Sequence, residues 1–331
     1  MNLAAEMVMM TDTLAVRVAR RWPEARGIEA FELVHPEGAA LPAFRAGAHI
    51  DVHLPGAIVR PYSICSAPHE RWRYLLCVLR EPASRGGSAA LHDAVAEGDV
   101  LRIGRPRNLF ALDQAASHHL LLAGGIGITP ILSMAQQLVQ AGAGNFALHY
   151  AVQERDRAAL LGALAVPGLA QRSRLYCSAG DAPARMDIGA LLAQAPQGTH
   201  VYACGPARLV QAVQSTAAAQ GWAPERMHVE LFAAPQVVRA DGDAAFELVL
   251  ARSGRVVNVP AGCSATEALG AAGVVVPTSC EQGVCGTCLM GVVSGLPDHR
   301  DMYLSPEEQQ RNDQFLPCCS RALTQRLVVD C

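Results

Sequence analysis

The chain has 331 residues, 51% of them apolar and 17% charged, and a formal net charge of −3. That length accommodates two or three domains. The near-balanced, slightly acidic composition argues against nucleic acid or an anionic membrane surface as a partner.

Eleven cysteines would suit a disulfide framework only in an exported protein. Met1 to Met10 contains Glu6, no basic start and no long apolar core, so no leader peptide is expected. The richest apolar stretch, Leu120 to Met134, is interrupted by three glycines and a proline and cannot span a bilayer unbroken. A reducing cytoplasm is the expected compartment.

From about residue 12 to 112 the pattern is all-β. Short alternating runs at Leu14–Val18, Ala30–Leu33, His49–Leu54 and Tyr74–Val78 are separated by Pro and Gly turns, with one helix near Ser88–Ala96. Within this region Arg60-Pro61-Tyr62-Ser63 closes a strand, and Gly86-Gly87-Ser88 precedes the helix. The combination suits a flavin. The tyrosine packs on the ring system, the serine hydroxyl reaches the hydride-accepting nitrogen, and the planar fork of Arg60 matches a phosphate. Gly86, Gly87 and Ser88 offer N–H groups at a helix start, where an anion is favoured. Read alone, the motif is equally a strand with an exposed Arg and a core Tyr.

Residues 118 to 232 take on an α/β rhythm. Strands at His119–Ala123, Ala147–Ala151, Arg174–Ser178 and His200–Ala203 alternate with helices at Ile131–Ala141, Ile188–Ala195 and Ala207–Gln220. The run Gly124-Gly125-Ile126-Gly127-Ile128-Thr129-Pro130 joins a strand to a helix and suits a pyridine dinucleotide, although it is not G-x-G-x-x-G. Cys204-Gly205-Pro206 ends another strand, where ligands of open α/β sheets bind. A tight connection and a buried free thiol are the plainer alternatives.

Residues 233–243 look like a linker, and 244–331 begin with a hairpin (Phe246–Ala251, Val256–Val259) and a helix at Thr266–Ala272. Then come Cys280, Cys285 and Cys288, spaced C-x4-C-x2-C, and Cys318 after 29 intervening residues. This is the spacing of a plant-type [2Fe–2S] cluster. Gly283 and Gly286 let the backbone wrap the cluster. Zinc is the main competitor, but it prefers paired C-x2-C knuckles or Cys/His sets, and the loop has no histidine. Cys319 adjoins Cys318, and the register favours Cys318 as the fourth ligand.

On these motifs, taken in order from about Thr13 to Cys331, the chain resembles the FMN and [2Fe–2S] reductases of the phthalate dioxygenase reductase type, including the vanillate O-demethylase reductases. The resemblance implies an antiparallel β-barrel flavin domain (1–112), an α/β parallel-sheet NAD domain of ferredoxin-reductase type (113–232) and an α+β β-grasp plant-type ferredoxin domain (244–331). It implies FMN, NADH and the cluster as cofactors, a terminal Rieske-type oxygenase as partner, an aromatic acid or aryl ether as the oxygenase's substrate, and a monomer. It also implies that Phe232 covers the flavin face where nicotinamide enters. Relatives often carry Arg-Ser after the strand ending near Val152; here Gln153-Glu154-Arg155 stands instead. Glu154 would repel a 2′-phosphate and could accept from a ribose hydroxyl, favouring NADH. The hydride step needs no acid–base side chain, so no catalytic residue is nominated beyond the cofactor shell. A stand-alone reductase of free flavin, ferric chelates or quinones would use the same motifs. A redox sensor would need a recognition module for which no segment is spare.

Overall fold

The computed structural model describes residues 13–56, 58–82, 86–180, 182–232 and 243–331. They form two compact units, one ending at Phe232 and one spanning Asp243 to Cys331.

The first unit opens with six antiparallel strands, β1 (Thr13–Ala25), β2 (Ile28–Val34), β3 (His49–Leu54), β4 (Ile58–Ser63), β5 (Tyr74–Leu79) and β6 (Val100–Gly104), in the order β4-β3-β6-β1-β2-β5. Alternation sets their faces: β3 buries Ile50, Val52 and Leu54 and leaves Asp51 and His53 half-exposed. Beyond β4 the chain bonds to β5, Cys65 N–H donating to the Leu75 carbonyl at 2.9 Å and Leu75 N–H to Ser66 Oγ at 3.2 Å. These bonds close the sheet into a barrel around Phe31, Leu33, Ile50, Tyr74 and Ile103, to which helix α1 (Gly87–Ala94) adds Leu91. β1 continues well past the expected Val18. Irregularities between Val18 and Arg20 and between Pro23 and Ala25 break its period of two, so its second half does not read as a strand.

A five-stranded parallel sheet follows: β7 (His118–Gly124), β8 (Phe146–Val152), β9 (Ser173–Cys177), β10 (Thr199–Cys204) and β11 (Met227–Glu230), in the order β11-β10-β7-β8-β9. Helices α2 (Ile128–Gln140), α3 (Leu161–Leu164), α4 (Ile188–Ala193) and α5 (Ala207–Ala219) lie between the strands in sequence. α2 starts three residues before expected. Thr129 and Pro130 therefore sit in its first turn, where the missing proline N–H leaves no helical bond unmade. Strand order reverses at β7, so the crevice between the carboxyl ends of β7 and β10 is the topological switch point. Barrel and sheet share a core in which Ile28, Ala46 and Phe110 meet Leu121, Met134 and Tyr150. Polar ties cross the same boundary. Ser133 Oγ donates to the Ser66 carbonyl at 2.9 Å, and Ala46 N–H to Gln137 Oε1 at 3.1 Å.

The second unit is a mixed sheet of β12 (Phe246–Leu250), β13 (Val256–Val259), β14 (Met290–Ser294), β16 (Gln314–Phe315) and β18 (Arg326–Val329), ordered β13-β12-β18-β14-β16, with a small pair, β15 (Pro297–Asp298) and β17 (Arg321–Ala322). β12 and β18 run parallel and the other pairs antiparallel, the β-grasp arrangement, with helix α6 (Ala265–Ala271) on the core. A capping box, Ser264 with Glu267, starts α6; Ser305 with Glu308 does the same for α7 (Pro306–Arg311). Residues 233–242 of the expected linker lie outside the described residues. Asp243 pairs with Arg300 (2.6 Å) and Arg321 (3.6 Å). Among the described residues no helix is long and apolar enough to cross a membrane.

Candidate functional site

β4 and the start of α1 bring the first motif together. A Cβ placed on Gly87 would lie 2.5 Å from Arg60 Cγ and 3.2 Å from the Tyr62 hydroxyl, and one on Gly86 (φ +92°) 2.7 Å from Ile58 Cδ1. Only glycine leaves this cradle open beside a guanidinium and a helix N-terminus, which is the donor set a flavin phosphate requires. Pro61 continues β4 between Arg60 and Tyr62. Burial pushes the Tyr62 phenol up to about 12, partly offset by Arg60, so it stays protonated. Ser88 Oγ accepts the Glu81 N–H at 3.2 Å.

The second and third motifs meet at the switch point. A Cβ on Gly127 would sit 2.3 Å from the Cys204 carbonyl oxygen, one on Gly205 2.9 Å from Gly124 Cα, and one on Gly124 2.9 Å from Pro206. The two turns touch backbone to backbone, and Gly125 (φ +54°) makes the intervening bend. Thr129 Oγ1 donates to the Ile126 carbonyl at 3.0 Å, leaving its lone pairs to accept. Cys204 is fully buried, and burial pushes its thiol well up, so it is neutral.

Parallel pairing of β10 with β11 sets Glu230 opposite Cys204, with Cys204 Sγ 4.0 Å from Glu230 Oε2. The Ser63 hydroxyl at the end of β4 hydrogen-bonds the same carboxylate. Desolvation raises the Glu230 carboxyl from 4.5 to about 8, and the Ser63 bond opposes the shift. Flavin and dinucleotide motifs therefore converge on a Ser63–Glu230–Cys204 group. Sequence reasoning missed Glu230 because β11 is a half-exposed edge strand of four residues without an apolar run. Phe232 follows two residues later and is 38% exposed. Glu154 is not brought into this group. Arg26, from the β1–β2 turn, pairs with its carboxylate and with Asp156 at 3.3 Å.

In the second unit the four cysteines converge. Cys280 hydrogen-bonds Cys285, Cys288 hydrogen-bonds Cys318, and backbone N–H groups of Gln282 and Val284 point at Cys280. Donation from Cys280 lowers the Cys285 thiol, and donation from Cys288 lowers Cys318, which also receives the Gly283 N–H. Cys285 Sγ lies 3.2 Å from Thr287 Oγ1. The loop takes positive φ at Glu281, Gly283 and Gly286. A Cβ on Gly286 would strike the Tyr303 ring at 2.3 Å, and one on Gly283 the Cys319 sulfur at 2.4 Å. Four sulfurs ringed by N–H donors, on a loop with no room for a Cβ at Gly283 and Gly286, fit a [2Fe–2S] cluster. Cys319 lies alongside, its Sγ 3.7 Å from the Leu316 carbonyl. Asp301 braces the loop by accepting Leu304 N–H at 2.8 Å, and Met302 N–H donates to the Gly283 carbonyl at 3.0 Å.

Fold and site thus define a flavin and pyridine-nucleotide reductase unit joined in one chain to a plant-type ferredoxin unit. Comparison with known proteins agrees. Residues 248–323 match the 2Fe-2S iron-sulfur cluster binding domain, and 105–227 match the N-terminal domain of dimethylamine monooxygenase subunit DmmA-like proteins. Vanillate O-demethylase oxidoreductase of Pseudomonas sp. (strain HR199 / DSM 7063) is 47% identical over 306 residues, 92% of this chain and 96% of its own. Phthalate dioxygenase reductase of Burkholderia cepacia is 38% identical over 317 residues, 96% and 97% of the two chains. The solved phthalate dioxygenase reductase, described as a modular structure for electron transfer from pyridine nucleotides to [2Fe–2S], superposes with a TM-score of 0.77 at 37% identity, covering 98% of this chain and 99% of its own. An intact type IV self-sufficient cytochrome P450 monooxygenase gives a TM-score of 0.81 at 37% identity over 96% of this chain and 41% of its own. The chain belongs to the phthalate dioxygenase reductase-type family of FMN and [2Fe–2S] reductases, and is similar to the reductase components of oxygenase systems.

Proposed function

We propose that this chain is the reductase component of a two-component oxygenase, taking hydride from NADH to FMN and passing single electrons through its [2Fe–2S] cluster to a terminal Rieske-type oxygenase. Similarity to the vanillate and phthalate reductases supports an aromatic acid or aryl ether as the oxygenase's substrate. One observation carries the reading. Ser63, Cys204 and Glu230 converge at the switch point of a chain whose other unit gathers four thiols. Assigned domains are FMN-binding 1–112, NAD-binding 113–232, linker 233–243 and ferredoxin 244–331.

FMN accepts hydride and yields electrons one at a time, the unit in which the cluster carries them. Arg60 and the N–H groups from Gly86 onward hold the phosphate, and the Tyr62 ring packs on the flavin. Ser63 would present its hydroxyl to the reacting nitrogen of bound FMN, oriented by Glu230, which keeps its own proton below about pH 8. Gly124, Gly125 and Gly127 admit the dinucleotide to the backbone, and Thr129, Cys204, Gly205 and Pro206 line the nicotinamide side. The neutral Cys204 thiol adds no charge there. Phe232 would cover the flavin face that nicotinamide must reach. Cys280, Cys285, Cys288 and Cys318 ligate the irons. The cysteine-rich composition suits a reducing cytoplasm, and we take the active form to be a monomer that docks its oxygenase beside the cluster loop.

Anaerobic addition of NADH with absorption and EPR readout tests the scheme. Flavin bleaching followed by a reduced-cluster EPR signal is expected. Bleaching with a persistently oxidised cluster contradicts the relay, and a pool of small acceptors reduced as fast as any oxygenase favours the stand-alone reductase.

A further inference from the structure

The dinucleotide reading uses the carboxyl ends of β7 and β10. The amino ends of the same sheet carry a different cluster. His200 sits near the start of β10, His228 in β11, and Asp113 on the segment between β6 and β7. His200 Nδ1 lies 3.0 Å from His228 Nε2 and 3.6 Å from Asp113 Oδ2, and the three donor atoms all lie within 4.8 Å of one another.

We propose that Asp113, His200 and His228 form a binding site for a divalent transition-metal ion of zinc's class, at the end of the parallel sheet opposite the nucleotide crevice. Zinc holds nitrogen and oxygen donors at about 2.0–2.1 Å in a tetrahedron, so neighbouring donors stand about 3.3–3.4 Å apart. The observed 3.0 and 3.6 Å bracket that edge, and small side-chain rotations bring the third edge in. Two imidazoles and one carboxylate are a zinc donor set that leaves a fourth position for water. Asp113 supplies the open side, its side chain 38% exposed against 12% for His200.

The surroundings hold the donors rigidly. Tyr202, fully buried, stacks on His228 with centroids 4.5 Å apart and planes 9° apart, and His200 meets His228 edge to edge, ring centroids 5.3 Å and planes 16° apart. The Asp113 N–H donates to the Tyr202 hydroxyl at 2.8 Å, and His119 on β7 hydrogen-bonds the Asp113 backbone. Such outer contacts fix the orientation of metal ligands. The ion would pin the segment leading from barrel to sheet onto the edges of β10 and β11. A shared proton between the two imidazoles is the competing explanation of their 3.0 Å approach, and it predicts no metal uptake.

The test uses full-length protein loaded with FMN and cluster, rid of loose metal by mild chelation and dialysed against zinc, with bound metals counted by mass spectrometry. One zinc per chain beyond the iron is expected, with nitrogen and oxygen ligands only by X-ray absorption and an upward shift in Tm. His200→Gln is expected to weaken zinc by more than the ~10–100-fold typical of changes one shell further out, with FMN and iron content unchanged. Asp113→Asn alters a half-exposed side chain and keeps the test decisive should the histidine variant fold poorly; it too should weaken zinc. Uptake no greater than in His200→Gln, equal affinity in Asp113→Asn, or zinc on sulfur each overturns the assignment.

Discussion

Gly127→Ala isolates the closest backbone approach in the nucleotide crevice. Gly127 has helical φ (−63°), so alanine brings no torsional penalty there, but the residue is the N-cap of α2, where alanine is less favoured than glycine. Sterics decide the outcome. The added methyl would lie 2.3 Å from the Cys204 carbonyl oxygen and 2.6 Å from Gly205 N, against an ordinary carbon–oxygen contact of roughly 3.3 Å. The β7–α2 turn and the end of β10 must therefore separate by about 1 Å. Overpacking of this kind costs about 1–3 kcal/mol, enough to lower Tm by a few degrees. A 1 Å misplacement of reacting groups costs about 100-fold in rate. Stopped-flow reduction of bound flavin by NADH should fall by about that factor, while reduction by dithionite is unchanged. Gly142→Ala serves as the control. It sits at φ +70° with nothing within 4 Å, so it should lose about 1–2 kcal/mol of stability and no hydride-transfer rate. Wild-type kcat/KM for NADH in Gly127→Ala would show that the two turns do not form the nicotinamide site.

Glu230→Gln should flatten the pH dependence of stability. With its carboxyl raised from 4.5 to about 8, the folded chain holds a proton that the unfolded chain releases between those values. Stability is therefore full below about pH 4.5 and falls as pH rises to 8. The variant should lose that slope in Tm measured from pH 5 to 9; parallel profiles would contradict the burial argument. Cys285→Ser should keep NADH-dependent dye reduction and lose reduction of a protein acceptor, checked by steady-state assays with both. The adjacent cysteines separate by the same logic. Cys318→Ala should abolish the reduced-cluster EPR signal and Cys319→Ala should keep it, since Cys318 alone of the two receives both the Cys288 thiol and the Gly283 N–H.

What was legible in the sequence was whatever local chemistry dictates. Strand–glycine–helix junctions at Gly124 and Gly205 announce themselves because a backbone-to-backbone approach tolerates no Cβ, and the cysteine loop because cluster geometry fixes its spacing. What stayed hidden depends on register. Glu230 becomes part of the site only because β11 pairs in parallel with β10 and ends level with Cys204. Nothing in Met227–Glu230 signals a strand, since an edge strand needs only one buried face and this one is half-exposed throughout. The engagement of Glu154 is hidden for the same reason. Its partner Arg26 lies 128 positions away, in a turn after the half of β1 whose alternation is broken.

The same register bears on how the chain can be altered. Strands β7 and β10 present glycine and cysteine at their carboxyl ends, at the proposed nucleotide crevice. Near their amino ends they present His119 and His200. Four residues along β10 separate His200, opposite His119, from Cys204, opposite Ala123, roughly 13 Å at about 3.3 Å per residue. Substitutions that far apart with no shared partner act independently to within about 0.5 kcal/mol. His200→Gln combined with Gly127→Ala should therefore show the rate loss of the second and the zinc loss of the first, with neither enlarged. A double variant whose rate fell well below that of Gly127→Ala alone would mean that the two ends of the sheet are mechanically linked through β10.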